Sequence, residues 1–211
     1  MLKKLATIAF AAGLSAIAAT ASAQSNPGYT VLDQPVSHDT ADGKVLVQEV
    51  FWYGCPHCYS LEPDFEQWAS EQSEDVDVER LPGTMGRNWV THARAYYTAE
   101  DLGILDQTHK PFFDAIHKNG QPLDSDAAIA KFYADYGVSE QQAQETLESF
   151  GVKSQVNQAH AEMRAYQLMG VPAIVIDGTY VITPSTAGGL TNMLTVADQV
   201  IERVRSEQAS N

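Results

Sequence analysis

The strongest constraint on this chain lies at residues 44–58. There a mostly apolar run, Lys44-Val45-Leu46-Val47-Gln48-Glu49-Val50-Phe51-Trp52-Tyr53, leads through Gly54 into Cys55-Pro56-His57-Cys58. A run of this kind, closed by a turn signal, reads as a central strand covered on both faces. Pro56 has no amide hydrogen to donate and a preset φ, so it suits the first position of a helix. That places Cys55 at the N-cap, its sulfur before the free amides of His57 and Cys58 and the positive end of the helix dipole. A thiolate is favoured there, the more so if His57 is protonated or donates a hydrogen bond.

These are the chain's only two cysteines, and a pair at that spacing on a strand-to-helix junction reads as a redox couple. Stabilising the reduced, ionised form makes the disulfide a stronger oxidant. Geometry then divides the roles, with Cys55 as the exposed nucleophile and Cys58, one turn further in, as the buried resolving thiol. Three other readings compete. A structural disulfide closing so short a loop constrains the unfolded chain little. A zinc site needs four ligands, whereas His38, His92, His109, His117 and His160 are scattered without ligand spacing. Haem attachment needs a histidine directly after the second cysteine, a position held by Tyr59.

Residues 1–23 carry Lys3 and Lys4, an apolar stretch over 5–19, and Ala21-Ser22-Ala23 before Gln24. That is the pattern of a cleaved secretory signal peptide, with an uncleaved anchor as the alternative. The mature chain is then expected to begin near Gln24 and enter an oxidising compartment, where two such thiols oxidise readily and no further cysteine can mispair. The charge balance, 13 Lys and Arg against 27 Asp and Glu for a net −14, argues against nucleic acid as a partner and otherwise describes a solvated surface.

Along residues 24–211 the pattern is that of one domain with an insertion at about 84–169. Strands are expected at 29–32 and 45–53, a helix at 56–70 with Pro63 as a potential kink, and a more peripheral strand at 75–81, where apolar and polar residues alternate. From Gly86 to Met169 the chain reads as helices, with Gly103, Gly120, Gly137, Gly151 and Gly170 where amphipathic segments run out. Candidate helices there are 108–119, 126–136 and 140–150, with Ser125 and Ser139 as N-caps. Tyr96, Tyr97, Phe112, Phe113, Ile116, Phe132 and Tyr133 recur at helical spacing as their core. Residues 173–176 and 179–182 flank Asp177-Gly178, a hairpin signal, and a last amphipathic helix follows over 190–205.

This layout, with Cys55-Pro56-His57-Cys58 and Gly170-Val171-Pro172-Ala173, resembles the DsbA family of bacterial periplasmic thiol:disulfide oxidases over nearly the whole mature chain. The resemblance implies an α/β, thioredoxin-like fold with an inserted all-helical subdomain, a periplasmic location, and donation of the Cys55–Cys58 disulfide to folding exported proteins through a mixed disulfide on Cys55. No bound cofactor is implied; reoxidation would come from a quinone-linked membrane partner of the DsbB type, and a monomer is the default. Pro172 would be a cis-proline beside Cys55, exposing the backbone of Val171 to an extended substrate; by itself it reads equally as a trans proline opening a strand.

Glu49 is a carboxylate inside an apolar strand, costly unless paired or neutral. Alternation places it under the active site, unless it is an edge-strand surface charge. The resemblance implies a buried acid that moves the Cys58 proton. The basic residue the family often pairs with it is not evident: Arg80 is near, but Val78 or Glu79 falls at the expected place. Trp52, Tyr59 and the Val171 loop are candidates for an apolar substrate groove, or ordinary core. Two rivals stay open: a disulfide reductase or isomerase, the isomerase disfavoured because the stretch from Gln24 to Lys44 is short for a dimerisation domain, and a non-catalytic thioredoxin-fold binding module.

Overall fold

Strand β2 (Val45–Phe51) is buried at every position, because it lies inside the sheet and is covered on both faces. The structure, a computed structural model, describes residues 28–38 and 43–210; the leader expected at 1–23 lies outside the described residues. From β2 the chain enters α1 (Pro56–Ser70) and returns as β3 (Val76–Pro82). The helical crossover makes β2 and β3 parallel. Three further strands, β1 (Thr30–Val31), β4 (Ala173–Ile176) and β5 (Tyr180–Ile182), complete a sheet of order β1-β5-β4-β2-β3 whose other pairings are antiparallel. Asp177 and Gly178 turn β4 into β5 with φ of 51° and 57°, the doubly left-handed geometry that suits a two-residue hairpin.

Between β3 and β4 run α2 (Arg87–Asp101), α3 (Leu105–His117), α4 (Asp126–Ala134), α5 (Glu140–Leu147) and α6 (Phe150–Ala165). After β5 come the short α7 (Pro184–Ala187) and α8 (Asn192–Gln208). One sheet face, with Val45, Val47, Ile174 and Ile176, packs on Leu61 and Phe65 of α1 and on Val200 and Ile201 of α8. The other, with Val50, Val175 and Val181, packs on Ala159, Met163 and Tyr166 at the end of α6. The insert's own core gathers Phe112, Phe113, Ile129 and Tyr133 around Phe51 and Tyr53 and reaches both cysteines. The thioredoxin-like α/β fold with a helical insertion is therefore present, although α6 closes a face of the sheet rather than standing apart from it.

Differences from the sequence expectation are local. Trp52 and Tyr53 leave the strand to start the loop before Cys55, and α3 begins earlier than residue 108, with Pro111 inside it. Helices α2 and α6 were not among the named candidates: Tyr96 was marked as core, but His92, Ala93 and Thr98 beside it are too small or polar to complete a stripe, and the 140–150 candidate spans α5 and stops where α6 begins. Gly151 does not end a helix. It lies in the first turn of α6, where the Ser149 hydroxyl caps the Val152 amide at 3.1 Å.

Candidate active site

Cys55 is the N-cap of α1, in extended conformation, with Pro56 in the first turn. Its Sγ accepts the Cys58 amide at 3.3 Å, its own amide donates to the Trp52 carbonyl at 2.9 Å, and its carbonyl accepts the Tyr59 amide at 3.0 Å. The two sulfurs are free thiols, Cys55 7% and Cys58 0% exposed. Cys55 is thus the more accessible sulfur, but it is largely covered rather than exposed, with Sγ 3.6 Å from the Val171 carbonyl. A hydrogen bond from the Cys58 thiol, outweighing burial and aided by the amides of Cys58 and His57 and the His57 charge, lowers the Cys55 pKa to about 6. Burial, with the neighbouring Cys55 sulfur and the Glu49 charge, pushes the Cys58 thiol far up. One fold feature, a helix N-terminus with one sulfur before it and one inside, separates two chemically identical groups.

The Val171–Pro172 peptide is cis and brings the strand-β4 entry against Cys55. Beside it lies an open groove of about 580 Å³, lined among others by Val31, Leu168, Met169, Val171, Pro172 and Pro184. Trp52 and Tyr59 do not line it, so the single groove expected from Trp52, Tyr59 and Val171 is divided. Trp52 stacks on Trp89, with centroids 4.5 Å apart. Tyr59 turns to α3, where its hydroxyl donates to Asp114 at 2.8 Å and its ring stacks on His117.

Under α1, Glu49 is fully buried. The β2–β3 register pairs it with Arg80, whose Nε donates to Glu49 Oε2 at 3.1 Å. This corrects the expectation that Val78 or Glu79 would occupy that place: Val76 opposes Val45, and counting along the parallel pair from there brings Arg80 opposite Glu49. The same guanidinium donates to Glu62 Oε1 at 3.1 Å and to Glu66. Burial, reinforced by the Glu62 charge and opposed by Arg80, pushes the Glu49 pKa upward. Burial acts to raise Glu62, but its contact with the His109 ring and the charge and hydrogen bond of Arg80 outweigh that and hold it down, while burial pushes the His109 imidazole down, towards its neutral form. His109 Nε2 lies 3.2 Å from Glu62 Oε1 but off the hydrogen-bond line, and its Nδ1 is 2.7 Å from the Tyr53 hydroxyl.

Glu62 and His109 were not singled out from the sequence. Glu62 had a signal, since it stands one helical turn after Cys58 on the buried stripe of α1 that also carries Leu61 and Phe65. His109 had none, because the α3 helix that carries it meets α1 only in the folded chain. No cluster of His, Cys, Asp or Glu suited to a metal ion occurs among the described residues.

A family model, the DSBA-like thioredoxin domain, matches residues 66–200, beginning just after the cysteine pair. The chain is 42% identical over 166 residues to the thiol:disulfide interchange protein DsbA of Azotobacter vinelandii, covering 79% of this chain and 78% of that one. It is 33% identical over 211 residues to the protein of the same name from Burkholderia cepacia, covering 99% and 100%. The crystal structure of Pseudomonas aeruginosa DsbA superposes with a TM-score of 0.81 at 37% identity, over 87% of this chain and 95% of that one.

Proposed function

The chain belongs to the DsbA family of thiol:disulfide oxidoreductases, and from that premise we propose that Cys55 and Cys58 are its redox couple, with Cys55 the atom substrates meet. The observation that carries this reading is the opposition between the two sulfurs, one favoured as thiolate before a helix N-terminus and the other held as thiol inside it. In the oxidised protein a substrate thiolate attacks Cys55 Sγ. The new S–S bond forms as the Cys55–Cys58 bond breaks, and Cys58 leaves with the electron pair and takes up a proton. A second substrate thiolate then attacks the substrate sulfur of the mixed disulfide, releasing oxidised substrate and the Cys55 thiolate, a good leaving group because its pKa is low.

Pro56 starts the helix, and His57, exposed beside the sulfur, favours the thiolate through its amide and, when protonated, through its charge. Val171 and Pro172 hold an extended chain by its backbone, with the groove beside them receiving neighbouring apolar side chains. Glu49 supplies the Cys58 proton. The substrates are exported proteins with free thiols, residues 1–23 direct the chain to the periplasm, residues 24–211 are the mature domain, and a quinone-linked membrane partner of the DsbB type reoxidises the pair. The protein acts as a monomer.

Equilibration of the purified protein with a glutathione redox buffer tests the reading. Ready reduction of the Cys55–Cys58 disulfide supports an oxidase, and resistance to reduction comparable to thioredoxin at about −270 mV points to the reductase. A Cys58→Ser variant is expected to accumulate mixed disulfides on Cys55, and Cys55→Ser to form none.

A further inference from the structure

His109 is a buried ionisable group for which the exchange steps leave no task. Around it stand the rings of Phe51, Tyr96 and Phe113 and the Tyr53 hydroxyl. Charges face it from each packed element: Glu62 and Glu66 from α1, Arg80 from β3, and, through Arg80, Glu49 from β2. The phenols of Tyr53 and Tyr96 remain neutral, since burial raises both. His109, Glu62, Glu66 and Arg80 together line a cleft of about 610 Å³ between α1 and α3, with Asp106 and Lys110 at its rim. The cluster therefore has one end under the cysteines and the other at water.

Charge balance gives the imidazole its significance. With Glu49 protonated, the buried part of the cluster holds one cation, Arg80, against one anion, Glu62. Once Glu49 gives its proton to Cys58, a second anion appears at a fully buried site, and an uncompensated charge there is strongly unfavourable. We propose that His109 is a positioning residue of the exchange reaction, an imidazole that takes up a proton from a solvent acid (hydronium or buffer) reaching it through the α1–α3 cleft as Glu49 gives one to the departing Cys58 sulfur. The inference rests on the redox reading above. In balance, the substrate sulfur bonds to Cys55, the electron pair leaves on Cys58, the Glu49 proton joins that sulfur, and a proton from the cleft ends on His109.

His109→Gln keeps polar atoms for Tyr53 and Glu62 but cannot take a charge. The measurement is the rate at which a small peptide thiol reduces the oxidised, purified protein between about pH 5 and 8, normalised to the peptide's thiolate fraction, with Cys55 alkylation followed in parallel. The expected result is a rate about tenfold lower near neutrality and a displaced pH profile, with the Cys55 alkylation profile unchanged. An H109Q rate and pH profile equal to those of the parent protein overturn the proposal. If H109Q does not fold, the NMR titration of the His109 ring in the reduced protein takes its place. The ring should respond near about pH 8, where Glu49 loses its proton, a response absent in Glu49→Gln, and identical titration curves in the two proteins overturn the proposal equally. A parent Cys55 with no depressed alkylation midpoint sinks the redox reading itself, and this inference with it.

Discussion

Arg80 stands opposite Glu49 in the parallel β2–β3 register and, from the same guanidinium, donates to both Glu49 and Glu62 at 3.1 Å. One cation thus serves two buried carboxyl groups from different elements, with a third, Glu66, at the surface. Arg80→Met would keep the aliphatic stem and leave the buried Glu62 charge without its cation, with only the His109 ring beside it. The expected cost near neutrality is roughly 3–5 kcal/mol. Urea unfolding should show that loss shrinking on acidification, because protonated carboxyl groups no longer need the cation. A cost independent of pH would mean that lost packing on Phe65, over which the guanidinium lies, dominates instead.

Glu49 gives the opposite pH dependence. Its carboxyl titrates near 4.5 when exposed and is pushed up to about 8 in the fold by burial and Glu62. Between those values the unfolded chain releases a proton that the folded one retains, so its contribution to stability is present at low pH and lost as pH rises towards about 8. Glu49→Gln, a neutral near-isostere, lacks that loss. The variant should match the parent near pH 4.5 and exceed its stability above about pH 8, by roughly 1–3 kcal/mol, in parallel denaturant titrations. Slowed exchange in this more stable variant would separate its part in proton supply from any part in folding.

The Cys55 thiolate sets the relative stability of the two redox forms. Its pKa falls from 9.0 to about 6 in the folded protein, so the stabilisation of the reduced form is complete above about pH 9 and disappears as pH drops through about 6. Iodoacetamide alkylation of Cys55 is expected to titrate with a midpoint near 6, while Cys58 stays unreactive. Thermal unfolding should show the reduced form gaining on the oxidised form as pH rises from about 6 to 9. A midpoint near the ordinary thiol value would remove the basis for a strongly oxidising disulfide.

How far the sequence disclosed these features depended on whether they were local. Strand β2 and the start of α1 were legible because burial on both faces leaves an apolar run and because Pro56 marks a helix start. The Asp177-Gly178 hairpin was legible because its turn demands particular residues. Arg80 was misplaced by a residue or two, since pairing between β2 and β3 is fixed by where each strand begins, and Val76 rather than Asp75 opens β3. Helix α2 escaped because His92 and Thr98 are polar in type yet buried in fact. His109 became significant only through contacts with α1, β3 and the loop after β2, which no periodicity within α3 encodes.

Gly54 offers a test of the loop that presents Cys55. A Cβ built there would run into the six-membered ring of the Trp52 indole, and one at Gly83 would meet Trp89 at 2.7 Å. The two indoles stack on each other with planes 7° apart, so neither can swing aside without breaking the stack. Trp52 also supplies the carbonyl that accepts the Cys55 amide, which links the stack to the position of the sulfur. Gly54→Ala is therefore expected to cost about 1–3 kcal/mol through overpacking and to shift tryptophan fluorescence. It should also move the Cys55 alkylation midpoint, because the loop must shift to readmit the ring. Gly83→Ala, which disturbs the stack from the Trp89 side, should carry a similar stability cost while leaving that midpoint closer to its original value. Equal midpoints in the two variants would show that Trp52 braces the fold without setting the geometry at Cys55.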